Sequence, residues 1–158
     1  MKKTRYLLMT LFVLISSVIH AQNAVTLDSN FSLEITDITY KKSAKASLQL
    51  VVAKKGYKII TLEVTLYSKS KKREKLDLKQ LKFVANTEDY ALVTQQGLGV
   101  WKSTTGLQLK FKGEKKTRLY IQVKDTIREG VLVFNDTNIY TISLSSKNKN
   151  GLVKPIVQ

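Results

Sequence analysis

The sequence predicts an all-β protein: an antiparallel β-sandwich of about seven to eight strands behind an N-terminal signal peptide. Three observations predict it. Apolar residues recur at every second position over most of the chain. Polar turn residues break these runs at short intervals. No stretch carries the three-to-four spacing of a long helix. Alternation marks strands with one buried and one wet face. Short connections favour antiparallel pairing, because parallel strands need long crossovers.

The chain opens on Lys2, Lys3 and Arg5, then an apolar run over 7–15, and softens over 16–21 into small residues before Gln22. This is the layout of a signal peptide over residues 1–21, cut between Ala21 and Gln22. The alternative is an uncleaved anchor. A spanning helix needs about 20 apolar residues. This run is shorter, and Asn23, Thr26, Asp28, Ser29 and Asn30 follow it without a basic cluster. The expected address is therefore outside the cytoplasm, periplasmic or secreted. The chain has no Cys, so no lipid anchor of the lipoprotein kind is expected.

The strands follow in order. Phe31, Leu33 and Ile35 share one parity, whereas Ile38 and Tyr40 sit on the other. A bulge near Thr36 and Asp37 accounts for the slip; the alternative is that the strand ends at Ile35. Further alternating runs hold Leu48, Leu50 and Val52; Ile60, Leu62, Val64 and Leu66; Leu107, Leu109 and Phe111; Leu119, Ile121 and Val123; and Tyr140, Ile142 and Leu144. Leu78 and Leu81 are three apart, with Asp77 available as a cap, so one helical turn or a β-arch is expected there, leading into a short strand over 82–84. Turns are expected at 54–56, 68–72, 104–106, 112–114, 128–130 and 135–138. One domain is expected over 22–146, followed by a flexible basic tail over 147–158 that holds the only proline, Pro155.

The middle of the chain carries a recognisable order. Gly56 and Tyr57 open an alternating strand. Leu76-Asp77-Leu78 and Leu81-Lys82-Phe83-Val84 follow a polar turn. Thr87-Glu88-Asp89 precedes Tyr90. Lys112-Gly113-Glu114, Gly130-Val131-Leu132-Val133-Phe134 and Tyr140-Thr141-Ile142 close the series. This order resembles the telokin-like, immunoglobulin-like extracellular domains of the DUF4352 type, over about 48–144. The chain departs from that pattern at Tyr67-Ser68, at Asn86 to Asp89 and around Trp101. The resemblance implies an immunoglobulin-like β-sandwich outside the cytoplasm with no catalytic residues.

The chemistry is bounded by what cleavage removes. His20 is the only histidine, so residues 22–158 contain neither His nor Cys. Ser-His-Asp and Cys-His catalysis and His/Cys metal sites then lose their parts. A carboxylate pair remains conceivable for glycoside hydrolysis, but Glu88 and Asp89 are neighbours that point to opposite faces of a strand. A carboxylate-only hydrolase is the remote alternative. The expectation is no enzyme, no catalytic residue, no metal and no cofactor.

Charge bounds the partners. Three of the 27 basic residues and none of the 12 acidic ones lie in 1–21, which leaves +12 on residues 22–158. Lys69, Lys71, Lys72, Arg73 and Lys75 crowd one loop, and Lys110, Lys112, Lys115, Lys116 and Arg118 another. Lys41, Lys42 and Lys45 make a third group beside Tyr40. Such loops are candidate anion sites; alternatively, lysines at strand edges block aggregation. Trp101 and Tyr40 are candidate ligand platforms, with a core plug the competing role for Trp101. The leading expectation is an exported binding or accessory module that uses loops or a sheet edge on a protein or cell-envelope partner. The alternative is a polyanion binder for acidic glycan or an anionic lipid surface. Nucleic acid is not an expected partner for an exported chain.

Overall fold

The structure, a computed structural model, describes residues 24–46, 49–93, 108–144 and 151–156. The called signal peptide, its Ala21–Gln22 junction and Trp101 lie outside these residues. The strands are β1 (Val25–Thr26), β2 (Phe31–Lys41), β3 (Ser43–Ala46), β4 (Gln49–Val52), β5 (Tyr57–Ser68), β6 (Glu74–Asp77), β7 (Leu81–Ala85), β8 (Glu88–Val93), β9 (Gln108–Phe111), β10 (Gly113–Lys124), β11 (Glu129–Phe134), β12 (Thr137–Leu144) and β13 (Gly151–Pro155). Every pairing among them is antiparallel.

The chain is all-β, as expected, but its strands do not separate clearly into the two layers of the expected seven-to-eight-stranded sandwich. Nine strands hydrogen-bond into one sheet in the order β1-β2-β5-β10-β8-β7-β11-β12-β13. That sheet curls until β13 lies beside β2, and the Tyr140 hydroxyl donates to the Leu33 carbonyl at 2.7 Å across the interior. The result is a nearly closed, barrel-like sheet. Strand β8 makes the turn of the wall: Glu88 to Ala91 pair with β7, and Leu92 and Val93 pair with β10. Two small pairs, the β3-β4 hairpin and the long-range β6-β9 pair, are added to the wall.

The alternation decides which side chains fill the barrel. Leu33, Ile60, Leu62, Leu66, Leu78, Leu81, Phe83, Ile121, Leu132 and Ile142 are all fully buried. At Ile35/Asp37 the β2–β5 register shifts by one residue, and beyond it Ile38 and Tyr40 turn inward. The bulge expected at Thr36 and Asp37 is therefore present, and it is what puts Tyr40 in the core.

Local chemistry sets the turns. Asn86 and Thr87 have φ of 49° and 65°, and Asn135 and Asp136 have φ of 51° and 61°. Each pair forms a two-residue hairpin loop with both central residues left-handed, the type I′ geometry that matches strand twist. Asp77 accepts from the Lys79 amide at 2.9 Å and caps a single 3₁₀ turn over Leu78–Gln80, as its place in the sequence suggests. At Gly130 the wall tolerates no side chain. An added Cβ would lie 2.4 Å from Phe83 Cζ and 2.5 Å from the Val84 carbonyl oxygen.

Part of the tail expected to be flexible over 147–158 forms a strand. Residues 151–155 form β13, paired with β12 from Leu144↔Gly151 to Tyr140↔Pro155, and Val153 packs on the core. Pro155 is accommodated at the end of an edge strand, where its missing N–H removes nothing from the ladder.

Candidate functional site

The two basic loops called from the sequence leave the wall side by side. β5 ends at Ser68, which pairs with Gly113 at the start of β10, so Lys69 and Lys112 begin adjacent excursions. The chain then returns as β6 and arrives as β9, and these two strands pair with each other. In that pair Lys75 lies directly opposite Lys110, and both are exposed.

The backing of this end is apolar. Leu76 and Phe111 are neighbours in sequence of the two opposed lysines, and both are buried. Phe111 packs on Phe31 with ring centroids 5.4 Å apart. Alternation thus turns one side of each strand into a plug for the barrel and the other into a cation shelf. The loop between is pinned. The Lys69 amide donates to the Asn30 carbonyl at 2.9 Å, the Ser70 amide to Ser68 Oγ at 3.3 Å, and the Lys72 amide to Ser70 Oγ at 3.2 Å. Lys69, Lys71, Lys72, Arg73, Lys75, Lys110 and Lys112 are exposed, and none of them forms an ion pair among the described residues. The nearby Glu74 instead accepts from the Asn30 amide nitrogen at 3.1 Å.

The rest of the second basic group runs away from this shelf, up the outer wall. Arg118 pairs with Glu63, Nη2 to Oε1 at 2.7 Å and Nε to Oε1 at 2.9 Å. Lys116 pairs with Glu114 at 3.6 Å. Both line a cleft of about 570 Å³ beside the β2 bulge, with Thr36, Glu63, Thr65 and Thr117. Each of these cations already has a carboxylate partner, Glu114 or Glu63, unlike those of the shelf. Lys115 stands opposite Leu66 and is half-buried.

Tyr40 does not present a platform. It is 1% exposed; its hydroxyl donates to the Ile127 carbonyl at 3.2 Å, and Lys58 Nζ sits 4.6 Å from the ring centroid. Burial raises its phenol above the ordinary value. The parity switch at the bulge was the sequence signal for this inward turn.

At the opposite end of β5 the wall carries a doubly hydrogen-bonded carboxylate. Glu88 accepts from Lys124 Nζ and, at 2.6 Å, from the Tyr90 hydroxyl. The Lys124 hydrogen bond, with the one from Tyr90, holds the Glu88 carboxyl below its ordinary range, and the same bond raises Lys124. Tyr90 is pushed up to about 12, first by burial and then by Glu88. Among the described residues no group of three or more His, Cys, Asp or Glu side chains gathers as a metal site, and no helix is long and apolar enough to cross a membrane.

No family model matches the chain, so the resemblance to DUF4352-type domains stands on strand and turn order alone. No curated protein matches it. Among solved structures it is similar to ycdA, a putative lipoprotein from Bacillus subtilis, at 10% identity and a TM-score of 0.47, over 85% of this chain and 38% of that one.

Proposed function

We propose that the chain is an exported, non-enzymatic binding module that takes a polyanion at its basic end. The ligand chemistry is that of acidic glycans or anionic headgroups in a cell envelope. The single observation that carries the reading is Lys75 set opposite Lys110 on the β6–β9 pair, beside loops that hold five further cations without an ion pair among the described residues. Like charges directly opposite each other destabilise an antiparallel pair. A bound anion relieves that repulsion, so the arrangement gains most when occupied.

Edge protection by lysine is the competing role. It needs one or two charges on a strand, and it gives no reason for a loop whose backbone is held by Ser68, Ser70 and Asn30. The non-enzymatic part rests on residues 22–158, which carry no His and no Cys. The export part rests on the N-terminal layout.

Heparin chromatography tests the reading. The protein should be retained at low salt and elute by about 0.5 M, where screening shortens the reach of exposed charges to a few ångströms. The Lys71→Glu/Lys72→Glu variant should elute far earlier. Absence of retention by the native protein at low salt overturns the reading.

A further inference from the structure

The β3–β4 hairpin lies at the other end of the molecule, between the end of β2 and the start of β5. Its inner side is anchored to the outside of the barrel wall. Ala44 is buried against Ile59 and Tyr120, with Ala53 and Val93 packed around them. The Tyr120 hydroxyl donates to the Lys45 carbonyl at 3.3 Å, the Ala53 amide to the Lys42 carbonyl at 2.8 Å, and the Lys54 amide to Gln122 Oε1 at 3.2 Å.

Its outer side is unlike any other described surface of the chain. Leu50 is 68% exposed and Val52 62%, and they are the large hydrophobic side chains left open among the described residues. Residues two apart on a strand share a face. Lys45 is opposite Leu50 in the register, so it shares that face too. Lys41, Lys42, Lys54 and Lys55 flank the hairpin, all exposed. None of the five lysines forms an ion pair among the described residues.

We infer that this hairpin docks on an anionic lipid bilayer, with Leu50 and Val52 entering the interface and the five lysines meeting phosphate headgroups. Two aliphatic side chains beside Lys45 and a cluster of cations at the hairpin's base match the layered chemistry of such a surface: charge outside, hydrocarbon beneath. A second copy of the chain does not fit, since it would set the same lysines against each other. A folded protein partner fits poorly. A stable interface covers about 800 Å² per partner around a buried apolar centre, and here two side chains stand alone on a narrow hairpin. The inference is independent of the polyanion reading, which uses the far end of β5.

The absence of Cys from the chain allows a site-specific test on the full-length protein. An environment-sensitive dye is attached at Leu50→Cys or, as a control at the other end, at Lys71→Cys. Phosphatidylcholine vesicles with and without phosphatidylglycerol are then added. The Leu50 probe should move to an apolar environment on the anionic vesicles, while the Lys71 probe stays in water. The Lys71→Glu/Lys72→Glu background removes headgroup binding by the other end. In it, adding Leu50→Ser/Val52→Ser should weaken binding to anionic vesicles at least about tenfold, as expected for removing the inserted apolar area. With the native lysine loop, the Leu50→Ser/Val52→Ser variant should keep its heparin retention. A Leu50 probe that stays in water, an affinity unchanged by Leu50→Ser/Val52→Ser in that background, or equal binding to neutral vesicles overturns the inference. Loss of heparin retention in the lysine loop variant leaves it standing.

Discussion

Lys75 and Lys110 face each other across the β6–β9 pair, two exposed cations at a directly opposed position. Opposed like charges weaken a pair, and opposite charges strengthen it, by about 0.2–1 kcal/mol. Lys110→Glu should therefore raise the melting temperature slightly while weakening heparin retention. Thermal denaturation and salt elution on one preparation check both. A variant that is less stable and equally retained would mean that the lysines neither repel nor bind.

Gly130 should not accept alanine. Its Cβ would overlap the Phe83 ring and the Val84 carbonyl oxygen. Overpacking of a tight site costs about 1–3 kcal/mol, and contact with backbone places Gly130→Ala at the upper end. Adding Phe83→Leu should recover only part of the loss, because the carbonyl clash remains. Denaturant midpoints of the three variants measure this; a Gly130→Ala midpoint equal to the native one contradicts the geometry.

Thr87 holds a left-handed backbone that suits a β-branched residue badly. Strain of this kind costs about 1–3 kcal/mol, and glycine enters the region freely. Thr87→Gly should stabilise the fold by about 1 kcal/mol, even though it removes the Thr87 hydroxyl bond to the Asn86 carbonyl. A lower melting temperature would show that this bond outweighs the strain.

Alkaline unfolding should be steep between pH 10 and 12. Tyr67, Tyr90 and Tyr140 are each pushed up to about 12, against 10 for a free phenol. The cause at Tyr67 is first its hydrogen bond to Glu34, and at Tyr140 it is burial. A group whose folded value is raised stabilises the fold fully below its unfolded value, and that stability is lost as pH rises through the folded one. The unfolded phenols ionise first, so stability falls across this window. Tyr67→Phe should flatten the fall, as read by melting temperature against pH alongside phenolate absorbance. At the acid end the sign reverses: Glu88 and Asp77 are held below their ordinary values, so their contribution persists above the carboxylate range and disappears below it.

Mass spectrometry of the N-terminal peptide, on protein recovered from a secreting host, should place the first residue at Gln22, free or cyclised. A chain still beginning at Met1 would keep His20 in the protein and contradict cleavage after Ala21.

The residues made some of this legible and hid the rest for physical reasons. The slip between Ile35 and Ile38 announced the bulge, and with it the inward turn of Tyr40, because parity on a pleated strand is direction. Asp77 before Leu78 announced the 3₁₀ cap. Alternation could not distinguish a sandwich from one curled sheet, since both bury the same face of each strand. β13 was hidden by its proline and its lysine, which an edge strand accepts and a central one does not. The convergence of the basic loops depends on β6 finding β9 about 30 residues away in the chain, a pairing encoded in neither strand alone.

Strand β5 spans 12 residues, Tyr57 to Ser68, and at about 3.3 Å per residue it sets the two basic ends roughly 36 Å apart. Electrostatic reach at physiological ionic strength is about 8 Å. Each end is therefore blind to whatever neutralises the other. Under the two proposals, an anion held at one end would leave the affinity of the other end unchanged.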